Sequence, residues 1–128
     1  MIFHHSAAIT LHPVFASLPA PKTFFMPSHK IIIDTDPGQD DAIAILLALA
    51  SPEELDLLGI VTVAGNVPLE LTSRNALMLC ELANKPETKV FAGCPGPLVR
   101  PLVTAEHVHG KTGLDGADLA APTISLQT

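Results

Sequence analysis

Between Lys30 and Ala92 the apolar residues switch repeatedly between strand-like and helix-like spacing, and this alternation constrains the fold more than any other feature. Ile31-Ile32-Ile33 is a short, continuous β-branched run, the pattern of a strand buried on both faces. It ends at Asp34-Thr35-Asp36-Pro37-Gly38, where Pro and Gly in series mark a turn. Asp40-Asp41 then opens a helix over Ala42–Ala50, built from strong helix formers and closed by Ser51-Pro52. Leu57–Val63 reads as a second buried strand, followed by a Gly65-Asn66 turn. Pro68–Asn84 reads as a second helix with proline at its start and Leu77, Cys80 and Leu82 among its apolar positions. Lys89–Ala92 makes a short third strand. The order β-α-β-α-β predicts an α/β fold, a parallel sheet with helices packed on its faces.

At 128 residues the chain has room for one domain. Met1–Ser28 stands apart: it has no acidic residue, a single lysine and four prolines, which deny the backbone donors that helices and strands need. A secretory signal wants a basic start and an unbroken apolar core, whereas here the first basic residue is Lys22 and His12-Pro13 splits the apolar residues. Residues 1–28 are therefore read as a disordered leader, or as the product of a start codon placed ahead of Met26. His4-His5 is a polar pair within it. The folded part is expected over residues 29–128. Past Gly93 the regularity stops. Cys94–Pro101 carries three prolines and a glycine, His107–Gly116 carries three glycines, and the chain ends on Ile124-Ser125-Leu126 without a closing helix. The expectation is a truncated domain.

Charge and composition exclude several partners. With 7 Lys+Arg against 13 Asp+Glu the chain has no basic stripe for a phosphate backbone, and without Trp or Tyr it lacks stacking platforms for single-stranded bases. The longest apolar stretch, Ala42–Ala50, is about half the roughly 18–20 residues of a membrane span. No nucleic acid and no membrane partner is expected. Two cysteines, Cys80 and Cys94, are too few for a disulfide framework and read as free thiols in a reducing cytoplasm.

Asp34, Asp36, Asp40 and Asp41 crowd four carboxylates into residues 34–41, with no Lys or Arg between Lys30 and Arg74 to pair with them locally. They lie where a strand hands over to a helix, at the carboxyl edge of the sheet, where ligands of open α/β folds bind. One such Asp is ordinarily a turn or cap residue: Asp40 could be an N-cap, and Asp41 could favour the helix dipole. Four together are costly unless a cation takes up the charge, and oxygen-only ligands favour a hard ion, Ca²⁺ or Mg²⁺. The EF-hand pattern fails, because Gln39 stands where its glycine belongs and Ile45 where its closing Glu is required. A haloacid-dehalogenase phosphatase would use Asp34 as nucleophile and Asp36 as acid, but its other acids come from a distant strand, not from Asp40-Asp41. No P-loop, G-x-G-x-x-G or G-x-S-x-G occurs.

The string Ile33-Asp34-Thr35-Asp36-Pro37-Gly38-Gln39-Asp40-Asp41-Ala42 closely resembles the D-T-D-P-G-x-D-D-A signature of the inosine/uridine-preferring nucleoside hydrolases. The resemblance continues in order through Thr62-Val63-Ala64-Gly65-Asn66, Thr72-Ser73-Arg74-Asn75-Ala76, Ala92-Gly93-Cys94 with Pro97-Leu98, and His107-Val108-His109-Gly110 with Gly113. It implies the N-terminal part of an open, mostly parallel, Rossmann-like sheet with flanking helices. It also implies a Ca²⁺-dependent N-glycosidase that hydrolyses ribonucleosides to ribose and free base, in family members that are commonly dimers or tetramers.

By that likeness Asp36 and Asp41 are direct Ca²⁺ ligands, and Asp36 also accepts a proton from the attacking water. Ca²⁺ would position and acidify that water. Asp40 would hold a ribose hydroxyl, Asn66 would reach the ribose, His109 would lie near the base, and Asp34 would support the metal ligands from behind. Taken without its neighbours, Gly65-Asn66 is a turn signal, and His107 and His109 are a solvated loop pair lacking partners at zinc spacing. Arg74 reads as structural, holding helix to loop. Members of this family are far longer, and their remaining Ca²⁺ ligands and leaving-group acid come from beyond the matched part. The 128-residue chain alone is therefore expected to be an N-terminal piece of such an enzyme, inactive and poorly soluble; the alternative is a non-enzymatic remnant with a weak metal site.

Overall fold

The computed structural model describes residues 27–128. The leader, apart from its last two residues, lies outside the described part. The elements are β1 (His29–Thr35), α1 (Gln39–Leu49), β2 (Leu55–Thr62), α2 (Leu69–Leu82), β3 (Val90–Ala92) and a single turn, α3 (Glu106–His109). The three strands are parallel in the order β1-β2-β3, with Ile33 opposite Ile60, Thr35 opposite Thr62, and Thr62 opposite Ala92. The α/β class and the open parallel sheet are as the alternation predicts, with boundaries shifted by one to three residues.

Consecutive strand order has a consequence for burial. Crossovers between parallel strands are right-handed as a rule, so three strands laid down in sequence place both connecting helices on the same face, and α1 and α2 pack against each other. The core accordingly forms one layer between sheet and helices, with Ile45 of α1, Ile60 of β2, Leu79 and Cys80 of α2 and Val90 of β3 fully buried or nearly so. Each such aliphatic side chain contributes about 1.5–3 kcal/mol by leaving water. Burial of β1 on both faces is corrected: Ile32 is 63% exposed and Leu58 of β2 46%, because no described element covers the second face. On α1, which is apolar around most of its circumference, Ala42, Ile45, Ala48 and Leu49 are buried while Ile43 and Leu47 are exposed. Leu82 at the end of α2 is likewise exposed.

After β3 the chain is irregular but tied back. Ala64 N–H donates to the Cys94 carbonyl at 3.0 Å and Ala105 N–H to the Asn66 carbonyl at 2.9 Å. The last residues are not a free end. Gln127 N–H donates to Val90 O at 2.8 Å and forms a parallel bridge with Phe91, so this segment begins to pair along β3. A single carboxylate oxygen of Glu81 accepts Thr123 N–H at 2.8 Å, Thr123 Oγ–H at 2.6 Å and Ile124 N–H at 2.9 Å. These donors hold the Glu81 carboxyl below its ordinary value. Both cysteines are free thiols; Cys80 is buried and Cys94 exposed. Among the described residues no helix is long and apolar enough to cross a membrane.

Candidate active site

The parallel strands end together, and the turns leaving β1 and β2 meet at the N-terminus of α1. The β1 turn supplies Asp36. Gly38, in extended conformation (φ −101°, ψ −164°), is the N-cap of α1, which puts Asp40 and Asp41 in the first helical turn. Asp40 is therefore not itself the cap. One Asp41 oxygen accepts Gly38 N–H at 3.2 Å, the reciprocal half of a capping box whose other half glycine cannot supply. Its second oxygen accepts the Thr35 hydroxyl at 2.7 Å.

The β2 turn locks onto these carboxylates through Asn66. Its backbone N–H donates to Asp36 Oδ2 at 2.7 Å, and its side-chain Nδ2 donates to the Asp36 carbonyl at 2.9 Å and to Asp41 Oδ2 at 3.3 Å. Asn66 is thus a cross-link between the two carboxylates, more than the turn residue its local sequence suggests. Its Nδ2 is committed to the protein, which leaves the amide oxygen as the end able to face a ligand. Gly65 is required here by close approach, since a Cβ would overlap the Asp36 carboxylate.

His109 comes to the same place from the far side. Its Nδ1 accepts Gln39 N–H at 3.5 Å and lies 4.0 Å from Asp40 Oδ1. At these distances His109 faces both the start of α1 and the Asp40 carboxylate. The Asp40 side chain is 83% exposed and that of His109 14%. His107, two residues away, is exposed. The geometry therefore gathers Asp36, Asp41, Asn66, Asp40 and His109 around the start of α1.

Asp34 is not gathered there. Strand alternation puts it on the side of Ile32, where it is exposed, and no described hydrogen bond involves its side chain. The group that braces Asp41 from behind is Thr35, which the sequence reading passed over although it belongs to the same Asp-Thr-Asp string. Arg74 is exposed and takes no part in any described hydrogen bond or ion pair. Its neighbour Asn75 joins helix to loops instead, donating from Nδ2 to the carbonyls of Pro37 and Thr112 at 3.0 and 2.8 Å.

Asp36 and Asp41 are hard oxygen donors drawn together on one asparagine, with no described Lys or Arg paired to either. That donor chemistry suits a divalent cation such as Ca²⁺, and the protein leaves their charge for an ion to balance. In number the donors are incomplete: among the described residues no group of three or more His, Cys, Asp or Glu side chains converges to hold a metal. The residues present fit part of a Ca²⁺ ligand set.

Comparison with known proteins matches residues 31–128 to the family described as inosine-uridine preferring nucleoside hydrolase. An uncharacterised protein of Schizosaccharomyces pombe is 60% identical over 94 residues, 73% of this chain and 30% of that protein. The pyrimidine-specific ribonucleoside hydrolase RihA of Escherichia coli is 50% identical over 97 residues, 76% of this chain and 31% of the enzyme. Among solved structures, a plant nucleoside hydrolase, PpNRh1, aligns with TM-score 0.64 at 39% identity, covering 79% of this chain and 33% of that one. An inosine-guanosine nucleoside hydrolase aligns with TM-score 0.66 at 34% identity, covering 77% and 31%. The chain thus spans about a third of the length of the relatives it matches.

Proposed function

The chain belongs to the inosine-uridine preferring nucleoside hydrolase family, and from that premise we propose that its carboxylate site serves Ca²⁺-dependent hydrolysis of the N-glycosidic bond of ribonucleosides, releasing ribose and free base. The observation that carries this reading is the Asp36–Asn66–Asp41 cross-link, which draws two uncompensated carboxylates together at the carboxyl edge of the sheet.

In this reading Asp36 and Asp41 would hold the ion, and Ca²⁺ when bound would position and acidify the attacking water. The residues of the chain do the rest. Asn66 N–H engages one oxygen of Asp36 and leaves the other to accept the proton of the water. The exposed carboxylate of Asp40 accepts a ribose hydroxyl, and the amide oxygen of Asn66 faces the sugar. His109, its Nδ1 held by the start of α1, lies on the base side. As the bond to the base breaks, positive charge develops on the sugar, and the carboxylates stabilise it. The Asp34 side chain makes no described hydrogen bond, so in this proposal it supports the ligands only through the local field.

Ca²⁺ takes 6–8 oxygens, and two carboxylates supply too few. We therefore propose that these residues form one part of the ligand set, that the 128-residue chain alone binds Ca²⁺ weakly and turns over no nucleoside, and that activity needs the further length its relatives have. The relatives' names cover both pyrimidine and purine nucleosides, so inosine and uridine are the substrates to try. A homo-oligomer in the complete enzyme and a cytoplasmic location, consistent with two free thiols, complete the proposal.

The test is a transplant. Residues 31–128 replace the matching segment of RihA, and ribose release from uridine and inosine is followed with Ca²⁺ and after chelation. Hydrolysis by the chimera, abolished by chelator and lowered at least about a thousandfold by Asp36→Asn or Asp41→Asn, is the expected result. A folded chimera indifferent to both substitutions would refute the assignment.

A further inference from the structure

Asn75 lies in the middle of α2 and is 1% exposed, a polar amide among Ala76, Leu79 and Cys80. A buried amide is tolerated where its donors are used, and Asn75 uses one nitrogen twice, toward Pro37 O at 3.0 Å and Thr112 O at 2.8 Å. Both acceptors are carbonyl oxygens, so chemistry alone fixes the amide with its NH₂ end toward them. The acceptors belong to separate segments. Pro37 sits between Asp36 and Gly38 in the carboxylate turn, and Thr112 lies three residues past His109.

A second observation meets the first from the opposite side. Gly113 has φ +85°, and a Cβ there would stand 2.9 Å from Asn75 Nδ2 and 3.2 Å from the Pro37 carbonyl. Glycine at this position is what lets the His109 segment come close enough to be held. The other links between the same two segments, Gln39 N–H to His109 Nδ1 at 3.5 Å and Gln39 Nε2 to the Asp115 carbonyl at 3.1 Å, are exposed, and water competes for them. Asn75 is the buried one.

We propose that Asn75 is a positioning residue of the nucleoside site: from inside α2 it locks the Asp36 turn and the His109 segment into one geometry, touching neither metal nor substrate. The proposal rests on the reading of Asp36, Asp41 and His109 given above and adds to it a residue from an element that reading does not use. Replacing the amide by a carboxylate of the same shape sets negative charge against two carbonyl oxygens and releases both segments together. A methyl at Gly113 does the same from the loop side.

The experiment uses the 128-residue chain and three variants, Asn75→Asp, Gly113→Ala and the core control Leu79→Ala. Global stability is measured in urea, limited trypsin cleavage is followed after Lys111, and Ca²⁺ is titrated. Asn75→Asp and Gly113→Ala are expected to speed cleavage at Lys111 more than tenfold and to weaken Ca²⁺ binding at least tenfold. Leu79→Ala, which loses as much global stability or more, should change each by less than twofold where all variants remain folded. Equal effects in Leu79→Ala, or none in Asn75→Asp, would overturn the proposal. If Asn75→Asp does not fold, Gly113→Ala decides. If even the unaltered chain takes up no Ca²⁺, the metal reading fails separately, and the Lys111 comparison alone decides the role of Asn75.

Discussion

The segment from His29 to Ala92 and the segment from Gly93 to Thr128 are held by different means. The first is three strands and two helices closed over one apolar layer, with backbone ladders satisfying its polar groups. The second contributes little to that layer beyond Leu114, with Leu119, Ile124 and Leu126 packed against its edge. It is fastened mainly at points: Asn75 on Thr112, Asn66 on Ala105, Glu81 on Thr123 and Ile124, and Val90 on Gln127. Burial is a collective force, spread over many side chains, so it tolerates imprecision. Point fastening rests on a few hydrogen bonds, those of Asn75 and Glu81 made by a single side chain each and the other two by backbone alone, so it is specific and easily undone. The candidate site uses both, its carboxylates standing on the first segment and His109 brought to them by the second.

The sharpest way to break this contrast is to cut the shared layer. Ile60, fully buried at the centre of the sheet, becomes a cavity in Ile60→Ala, expected to cost about 2–5 kcal/mol in urea unfolding followed by circular dichroism. A loss under about 1 kcal/mol would mean that the layer does not hold the first segment. A smaller effect belongs to Thr62, whose buried hydroxyl lies 2.7 Å from that of Ser73 and joins β2 to α2. Thr62→Val keeps the shape and strands the Ser73 hydroxyl, with an expected loss of about 1–3 kcal/mol. Restoring stability with Ser73→Ala in the same chain would show that the cost is desolvation and not lost packing.

The same contrast explains what could be read from the sequence. The alternation between Lys30 and Ala92 gave strands and helices close to their observed ends, because period and propensity are local properties. The second face escaped that reading: Ile31-Ile32-Ile33 looks the same whether or not something covers Ile32, and strand order decides it. At the site, Asp36, Asp41 and Asn66 were legible as types crowded near a strand end. Their linkage through Asn66, the bracing of Asp41 by Thr35 and the dual bond of Asn75 were not, since each joins residues that only the fold brings together. Arg74 drew attention as the charged residue of its motif, yet the buried neutral neighbour makes the contacts.

Glu81 offers a way to loosen the second segment alone. Its carboxyl is held below the ordinary value, first by the Thr123 hydroxyl and then by the backbone N–H groups of Thr123 and Ile124, all of which favour the ionised form. A carboxylate with a depressed folded pKa contributes stability above its unfolded value, near 4.5, and loses it as pH falls through the lower folded value. Hydrogen-exchange protection at Thr123 and Ile124, corrected for intrinsic rates, should therefore be level from pH 7 to about 5 and decline below. In Glu81→Gln it should be low and flat, with the amides of β2 unchanged. A matching loss in β2 would show that the two segments unfold as one.

The finest probe uses the two cysteines, one in each segment. Burial pushes the Cys80 thiol up to about 11, against a smaller opposing effect of its hydrogen bond with Thr88, so at pH 8 only about one molecule in a thousand carries a thiolate there. Cys94 is exposed in the loop after β3. A thiol-directed reagent should modify Cys94 quickly and Cys80 only when the first segment opens. The ratio of the two rates then measures the opening of that segment without perturbing it. Glu81→Gln and Gly113→Ala should leave the Cys80 rate within a few-fold of its starting value, while Ile60→Ala should raise it at least thirtyfold, the ratio that about 2 kcal/mol implies. Were the point-fastening variants to expose Cys80 as readily as the core variant does, the layer beneath α2 would depend on the second segment for its closure, and the site would have a single foundation instead of two.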